Sequence, residues 1–208
     1  MENNLVRDTL STRFGAMLYE PVVARGERLG MRQRREKLLA AAHGRVVEIG
    51  AGTGLNLPHY PAGLTGLTMT EPVPAMFRRL SARAGDKALP ALADALPMPD
   101  ASVDTVVSTL VLCTVPEVEP VLDEIRRVLK PGGRLLFCEH VLARDRRLAR
   151  RQRRLAGLWA GFAQGCRCDR DTLPMLRERF EIESITETRW QGMPSIVRPL
   201  IVGIASVA

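Results

Sequence analysis

The run Arg45-Val46-Val47-Glu48-Ile49-Gly50-Ala51-Gly52-Thr53-Gly54 constrains the fold more than any other stretch of the chain. Val46, Val47 and Ile49 make a short apolar segment, the pattern of a strand buried on both faces. Three alternating glycines follow where that strand must turn. Glycine accepts positive φ and has no Cβ to hold a ligand away from the backbone. A helix is expected after the turn, with its free N–H groups aimed at the same point. Such a chain brings bare backbone up to a nucleotide-like ligand at the end of a buried strand.

The spacing narrows the ligand. A dinucleotide-binding turn runs G-x-G-x-x-G. Here the third glycine of that pattern falls on Leu55, and the chain reads G-x-G-x-G with Glu48 in front. In this it resembles the S-adenosylmethionine-dependent methyltransferases of the Rossmann-like class. Leu64 to Thr70 reads as a second strand, weakened by Gly66, and ends at Glu71-Pro72. Glu71 lies about 20 positions beyond the loop, where a Rossmann-like sheet meets ribose hydroxyls. A carboxylate can accept from both the 2′ and the 3′ hydroxyl. Alone, Glu71 reads equally well as a solvated strand end; joined to the loop at this distance, it reads as the ribose ligand.

Strands and helices alternate through the following residues. Residues 5 to 42 read as helical with a break around Tyr19-Glu20-Pro21, and Leu29, Gln33, Glu36 and Leu39 mark a face that packs while Arg32, Arg34 and Arg35 stay wet. Pro74 to Arg83 is a short helix and Val103 to Thr109 a strand. From Pro120 an amphipathic helix carries Val121, Leu122, Ile125, Val128 and Leu129 on one stripe until Pro131-Gly132-Gly133 stops it. Arg134 to Cys138 is another buried strand. Phe180 to Ile185 and Leu200 to Val207 are strands with no helix between them, which makes an antiparallel hairpin. The expected fold is α/β: a Rossmann-like, seven-stranded, mostly parallel sheet with helices on both faces and a C-terminal antiparallel hairpin. With no repeat or low-complexity linker, the 208 residues read as a single domain. It divides into a helical cap (1–42), a cofactor-binding core (45–140) and a substrate-side segment with the last strands (141–208).

Composition sets the outer limits. No stretch reaches the roughly 18 to 20 apolar residues of a membrane span. Met1 to Asp8 lacks the basic-then-apolar order of a signal peptide, so a cytoplasmic protein is expected. Four cysteines in 208 residues are too few for a disulfide scaffold. Cys166-Arg167-Cys168 resembles a metal pair, but no histidine lies near it in sequence and no metal is expected. The net charge of +7 is concentrated: Arg144 to Arg154 holds seven arginines and one aspartate, +6 of the total. That segment reads as a solvated helix face, as a contact for an anionic membrane, or as a nucleic-acid contact. Its continuation through Leu155, Leu158, Trp159 and Phe162 suits a headgroup boundary. Nucleic acid is disfavoured, because Ser108 to Leu112 carries no aromatic to stack a flipped base and aromatics make up 4% of the chain.

A closer resemblance rests on four further stretches. Ala95 to Asp104, Ser108 to Thr114, Leu129 to Gly133 and Phe137-Cys138-Glu139-His140 resemble the methyltransferase-like type 7 family, thiol S-methyltransferases of membrane surfaces. Trp159, Gly165-Cys166 and Arg170-Asp171-Thr172 match the same family. More loosely, the first part is similar to ubiquinone-type and phospholipid-type methyltransferases. The ubiquinone-type aspartate that reads adenine falls here on Leu92, and the apolar anchor of the human proteins is not found at this amino terminus.

The resemblance implies S-adenosylmethionine held by Glu48, Gly50, Ala51, Gly52, Thr53, Gly54, Asn56 and Glu71. Pro72, Met76, Ala93 and Asp94 would stand around the adenine, and Thr109 and Leu110 beside the methionine part. Direct methyl transfer needs positioning more than acid–base machinery. An alkyl thiol with a pKa above neutrality gains from a nearby base, and His140 is the candidate. Cys113, Cys166 and Arg170 are expected to line the acceptor pocket. The acceptor is a small apolar molecule, a thiol first and a phospholipid or quinone next; a protein that binds the cofactor without turnover is the rival.

Overall fold

The computed structural model describes Val6 and residues 9–207. The expectations for the amino terminus, Met1 to Asp8, lie outside the described residues apart from Val6. Seven strands form one sheet: β1 (Arg45–Ile49), β2 (Gly66–Thr70), β3 (Ala88–Leu89), β4 (Val103–Thr109), β5 (Leu129–His140), β6 (Glu181–Arg189) and β7 (Pro199–Ser206). Their order is β3-β2-β1-β4-β5-β7-β6. The first five are parallel, and β7 runs antiparallel to both β5 and β6. The helices are α1 (Leu10–Gly26), α2 (Arg32–Leu39), α3 (Pro74–Ala84), α4 (Glu119–Val128), α5 (Arg146–Phe162) and α6 (Thr172–Arg179).

Residues along the central strands alternate between two cores, as period-2 geometry requires. Val47, Ile49, Val106, Leu135 and Phe137 pack with Leu122, Ile125 and Leu176 of α4 and α6. Val46, Val107 and Leu136 pack with Leu38 and Leu39 of α2 on the other face. Both faces are covered, which is why these strands read as continuous apolar runs. The chain leaves β1 in one direction to β2 and β3 and returns to β4 on its other side. The crevice beyond the carboxyl ends of β1 and β4 is therefore the topological switch point, where open α/β sheets bind ligands.

Several elements differ from the sequence reading. The helix expected after the glycine loop is reduced to a single 3-10 turn, Leu57–His59. Gly50, Gly52 and Gly54 take φ of 54°, 59° and 85°, which breaks any right-handed helical ladder. Three-residue turns follow instead, closed by Gly54 N–H to the Ala51 carbonyl (2.9 Å) and Leu57 N–H to the Gly54 carbonyl (3.1 Å). The break in the amino-terminal helices lies at Leu29-Gly30, where Gly30 has φ 122°, and not at Tyr19 to Pro21. Pro21 sits inside α1 on its exposed side, so the carbonyl it leaves unbonded faces water. The packed and wet residues around α2 are only partly those expected: Leu39 is buried and Arg32 exposed, but Arg35 is buried while Leu29, Gln33 and Glu36 are exposed. Helix α4 ends at Val128, and Leu129 to Gly133 already belong to β5.

Candidate active site

The glycine loop and the end of β2 are joined by one carboxylate. Glu71 accepts from the Gly52 amide through Oε2 (2.8 Å) and from the Val73 amide through Oε1 (2.9 Å). Burial pushes its carboxyl up to about 7, against the two amides that favour the charged form. Each oxygen keeps a second lone pair for another donor. A Cβ on Gly50 would come within 2.8 Å of a Val111 methyl, whereas one on Gly52 would meet no protein atom within 4 Å. Backbone at Gly52 thus borders open space directly beside Glu71.

Glu48 plays a different part from Glu71. It is 2% exposed and accepts from Asn56 Nδ2 (2.9 Å) and Tyr60 Oη (2.8 Å). Burial raises it to about 7, opposed by those two hydrogen bonds. Asn56 also donates to Thr109 Oγ1 (3.1 Å) and accepts from Arg35 Nη1 (2.7 Å), and Arg35 is paired with Glu27 at 3.0 Å. This buried chain locks the glycine loop to β4 and to the amino-terminal helices. Thr53 is fully buried, and its carbonyl accepts from Arg83, which is paired with Glu20 of α1.

Of the residues expected around an adenine, Met76 is buried against Ala16 and Tyr19 of α1. Ala93 is buried in the β1–β4 core, Pro72 is partly exposed and Asp94 is exposed. Leu110 follows β4 with φ 61°, a left-handed conformation that a leucine adopts only when its surroundings impose it. The imposing group is Glu139, which the sequence reading did not single out. Fully buried, it accepts from Ser108 Oγ (2.7 Å), the Val111 amide (3.1 Å) and the Leu112 amide (3.1 Å). It thereby fixes the turn that carries Cys113.

Cys113, His140 and Cys166 come together, each with a ligand-type atom within 4.8 Å of the other two. Cys166 faces this pair rather than Cys168, its neighbour in sequence. His140 stacks on Trp190 with ring centroids 5.6 Å apart. Burial pulls its imidazole down to about 4, so the ring is neutral and a weaker base than the sequence reading supposed. Cys113 is pushed well up, first by its hydrogen bond to Cys166 and then by burial; the same bond draws Cys166 down. Arg170 does not point its guanidinium at the thiols: it donates to the carbonyls of Leu112 (2.6 Å) and Pro116 (2.8 Å).

Two residues outside the expected set join these parts. Tyr19 of α1 packs on Met76 and also on the cluster that contains Cys113 and Cys166, and so links the two. Gln152, inside the arginine run, is fully buried and donates to the carbonyls of Cys168 (2.8 Å) and Ile196 (2.9 Å). Two surface clefts of about 290 and 360 Å³ lie elsewhere, around Arg144, Leu142 and the start of α5.

Comparison with known proteins gives the family. Residues 47–137 match the methyltransferase domain family. The chain is 34% identical to rat thiol S-methyltransferase TMT1B over 158 residues, 72% of this chain and 64% of that protein. It is 33% identical to human thiol S-methyltransferase TMT1A over 178 residues, 77% of this chain and 69% of that protein. The chain thus spans about two thirds of the length of these relatives. A solved S-adenosylmethionine-dependent methyltransferase from Thermotoga maritima shares the fold at TM-score 0.65 and 22% identity, covering 92% of this chain and 99% of its own. The chain belongs to the family of S-adenosylmethionine-dependent methyltransferases that includes these thiol S-methyltransferases.

Proposed function

We propose that the protein methylates a small apolar thiol, with S-adenosylmethionine seated between the glycine loop and Tyr19. One observation carries the reading. Glu71 holds the Gly52 amide beside open space, and Tyr19 packs both on Met76 and on the cluster that contains Cys113 and Cys166. The open space over Gly52 and the spare lone pairs of Glu71 fit a ribose approaching bare backbone. When bound, the cofactor supplies an electrophilic methyl on a sulfonium sulfur.

The residues then divide the work. Glu71 holds the ribose hydroxyls, while Gly50 to Gly54 give the backbone close approach. Met76, Pro72 and Ala93 pack around the adenine, with Asp94 at its solvent edge. Glu48 and Asn56 keep the loop and Thr109 in register, and Leu110 borders the methionine part. Cys113 and Cys166 wall the acceptor pocket, whose shape is set by Glu139 and Arg170. Neutral His140 stands beside both thiols in that wall. Burial excludes water, and a held sulfur in line with the methyl gains most of its rate from positioning.

A second surface supports an acceptor delivered from a membrane. Arg146, Arg147, Arg150, Arg151, Arg153 and Arg154 are exposed on α5 and form no ion pair with any described residue. Leu158 is 78% exposed on the same helix, and α1 exposes Leu10, Phe14 and Met17 at helical spacing. No described helix is long and apolar enough to cross a membrane. This combination of cations and apolar side chains fits peripheral contact with an anionic bilayer.

The test is a substrate panel of alkyl thiols, hydrogen sulfide, quinols and phosphatidylethanolamine vesicles, read as demethylated cofactor. Turnover with alkyl thiols is expected. Turnover with the quinols or the lipid alone would overturn the thiol assignment.

A further inference from the structure

The cluster of Cys113, His140 and Cys166 has a geometry that pocket-lining alone does not explain. Cys113 stands on the turn after β4, His140 ends β5 and Cys166 lies on the turn after α5, yet one ligand atom of each lies within 4.8 Å of the others. None of the three is more than 6% exposed.

The convergence is built by the backbone. The Arg167 amide donates to the Cys113 carbonyl at 2.6 Å. Arg170 ties the Leu112 and Pro116 carbonyls to the same segment at 2.6 and 2.8 Å. Gly165 lies so close to Thr114 that a Cβ would stand 3.2 Å from its carbonyl oxygen. Nδ1 of His140 is buried without a hydrogen-bond partner among the described residues. The carbonyls of Val197 and Pro199 lie against the ring, in position to take its N–H. A histidine that gives one nitrogen to a backbone carbonyl and leaves the other free is set up as a metal ligand.

Two sulfurs and an imidazole select a thiophilic ion of the zinc class over magnesium or calcium. Tetrahedral zinc with Zn–S of about 2.3 Å and Zn–N of about 2.0 Å brings its ligand atoms roughly 3.5 to 3.8 Å apart. The three side chains need move by only about an ångström to reach that spacing. Three protein ligands also leave one position open, the form of a catalytic zinc site.

We propose that Cys113, His140 and Cys166 bind a zinc-class divalent ion whose fourth position takes the sulfur of the acceptor. The ion site stands on its own geometry; the use of its fourth position rests on the thiol-transfer reading. On coordination the acceptor's S–H bond breaks and its proton passes to water. The metal-bound sulfur then forms a bond to the methyl carbon as that carbon's bond to the sulfonium breaks, and the electron pair stays on the donor sulfur. Neutral demethylated cofactor and a thioether leave. No oxidant or reductant is required.

The experiment uses the full chain, reduced and freed of metal by a chelator, titrated with Co²⁺ and then Zn²⁺. One Co²⁺ per chain is expected, with a thiolate-to-cobalt charge-transfer band that Zn²⁺ abolishes and an added alkyl thiol shifts. Cys113→Ser, Cys166→Ser and His140→Gln should each weaken Zn²⁺ binding at least a hundredfold while S-adenosylmethionine affinity, measured by calorimetry, stays within threefold. Cys138→Ser, a buried cysteine of the same core whose sulfur is not grouped with the three ligand atoms, should leave the band intact. Absence of the band, or its survival in the Cys113→Ser/Cys166→Ser double variant, would overturn the site. Full thiol turnover in chelated protein would overturn the role of the fourth position. If no thiol is methylated but the band appears, the thiol reading falls and the ion site stands; if thiols are methylated and no ion binds, the reverse holds.

Discussion

Replacing Glu71 perturbs cofactor binding in a way that separates a ribose ligand from a loop brace. In the structure its two oxygens accept from Gly52 and Val73 at 2.8 and 2.9 Å, and a Cβ on Gly52 would meet no protein atom within 4 Å. Two ribose hydrogen bonds to a carboxylate contribute about 1.5 to 3 kcal/mol each. Glu71→Ala should therefore weaken S-adenosylmethionine binding by about 3 to 6 kcal/mol, roughly 10² to 10⁴-fold.

Glu71→Gln is more informative. One of its two terminal atoms becomes an N–H₂ donor facing an amide N–H, so affinity falls by about tenfold or more while the shape is kept. The pH dependence then changes sign-specifically. Burial holds the free carboxyl near 7, and the ionised form is the stronger acceptor. Affinity in the wild type should fall by up to about tenfold per unit as pH drops below 7, and flatten above about 8. The cofactor's own amino group titrates identically with both proteins, so the difference between wild-type and Gln slopes isolates Glu71. Isothermal calorimetry from pH 5.5 to 8.5 measures it. Equal affinities for wild type and Glu71→Gln, or parallel pH slopes, would refute the ribose assignment.

Other substitutions probe the frame around the site. Glu48 is raised from 4.5 to about 7 by burial, so the stability it contributes is present below pH 4.5 and is lost as pH rises through 7. Glu48→Gln keeps both partners, since Tyr60 can accept instead of donate; denaturant unfolding should show equal stability at pH 4.5 and a gain of up to about 3 kcal/mol at pH 8. Gln152→Leu strips hydrogen bonds from the buried carbonyls of Cys168, Ile196 and Val141; an unfolding free energy lower by about 3 kcal/mol is expected, and a change under 1 kcal/mol would contradict its bracing role. Changing Arg150, Arg151, Arg153 and Arg154 together to glutamine should cut binding to phosphatidylserine vesicles at low salt by at least about a hundredfold, at about 1 kcal/mol per arginine. Turnover of a water-soluble thiol should not change, and unchanged vesicle sedimentation would remove the membrane contact.

Much of the frame was legible because its signals are local. The apolar run before Gly50, the stripe of α4 and the unpunctuated pair β6–β7 each follow from short-range periodicity, and the sheet that they imply is the one observed. Local reasoning failed where a distant partner decides the outcome. Arg35 reads as a solvated cation but is buried because Glu27 and Asn56 both reach it. The helix expected after the glycine loop gives way to turns because three successive left-handed glycines leave no ladder to propagate. Gln152 looks like one polar residue in a basic run, and only the fold shows that it points inward. Cys113, His140 and Cys166 were each legible as pocket candidates from family resemblance. Their convergence was not, since it depends on the Arg167 amide and on Gly165 meeting a turn some fifty residues earlier. Glu139 lay in a stretch that carries the family resemblance, but nothing local gave its role, and Tyr19 had no signal beyond residue type.

The central claim, methyl transfer to a thiol at the Gly52–Glu71 cleft, is tested most directly by one steady-state assay. Wild type and Glu71→Ala are each supplied with S-adenosylmethionine and an alkyl thiol, and demethylated cofactor and methyl thioether are quantified together. Equimolar appearance of both products with wild type, and loss of both with Glu71→Ala at subsaturating cofactor, is the predicted result. Absence of thioether with the folded wild type, or undiminished turnover in Glu71→Ala, would contradict the account.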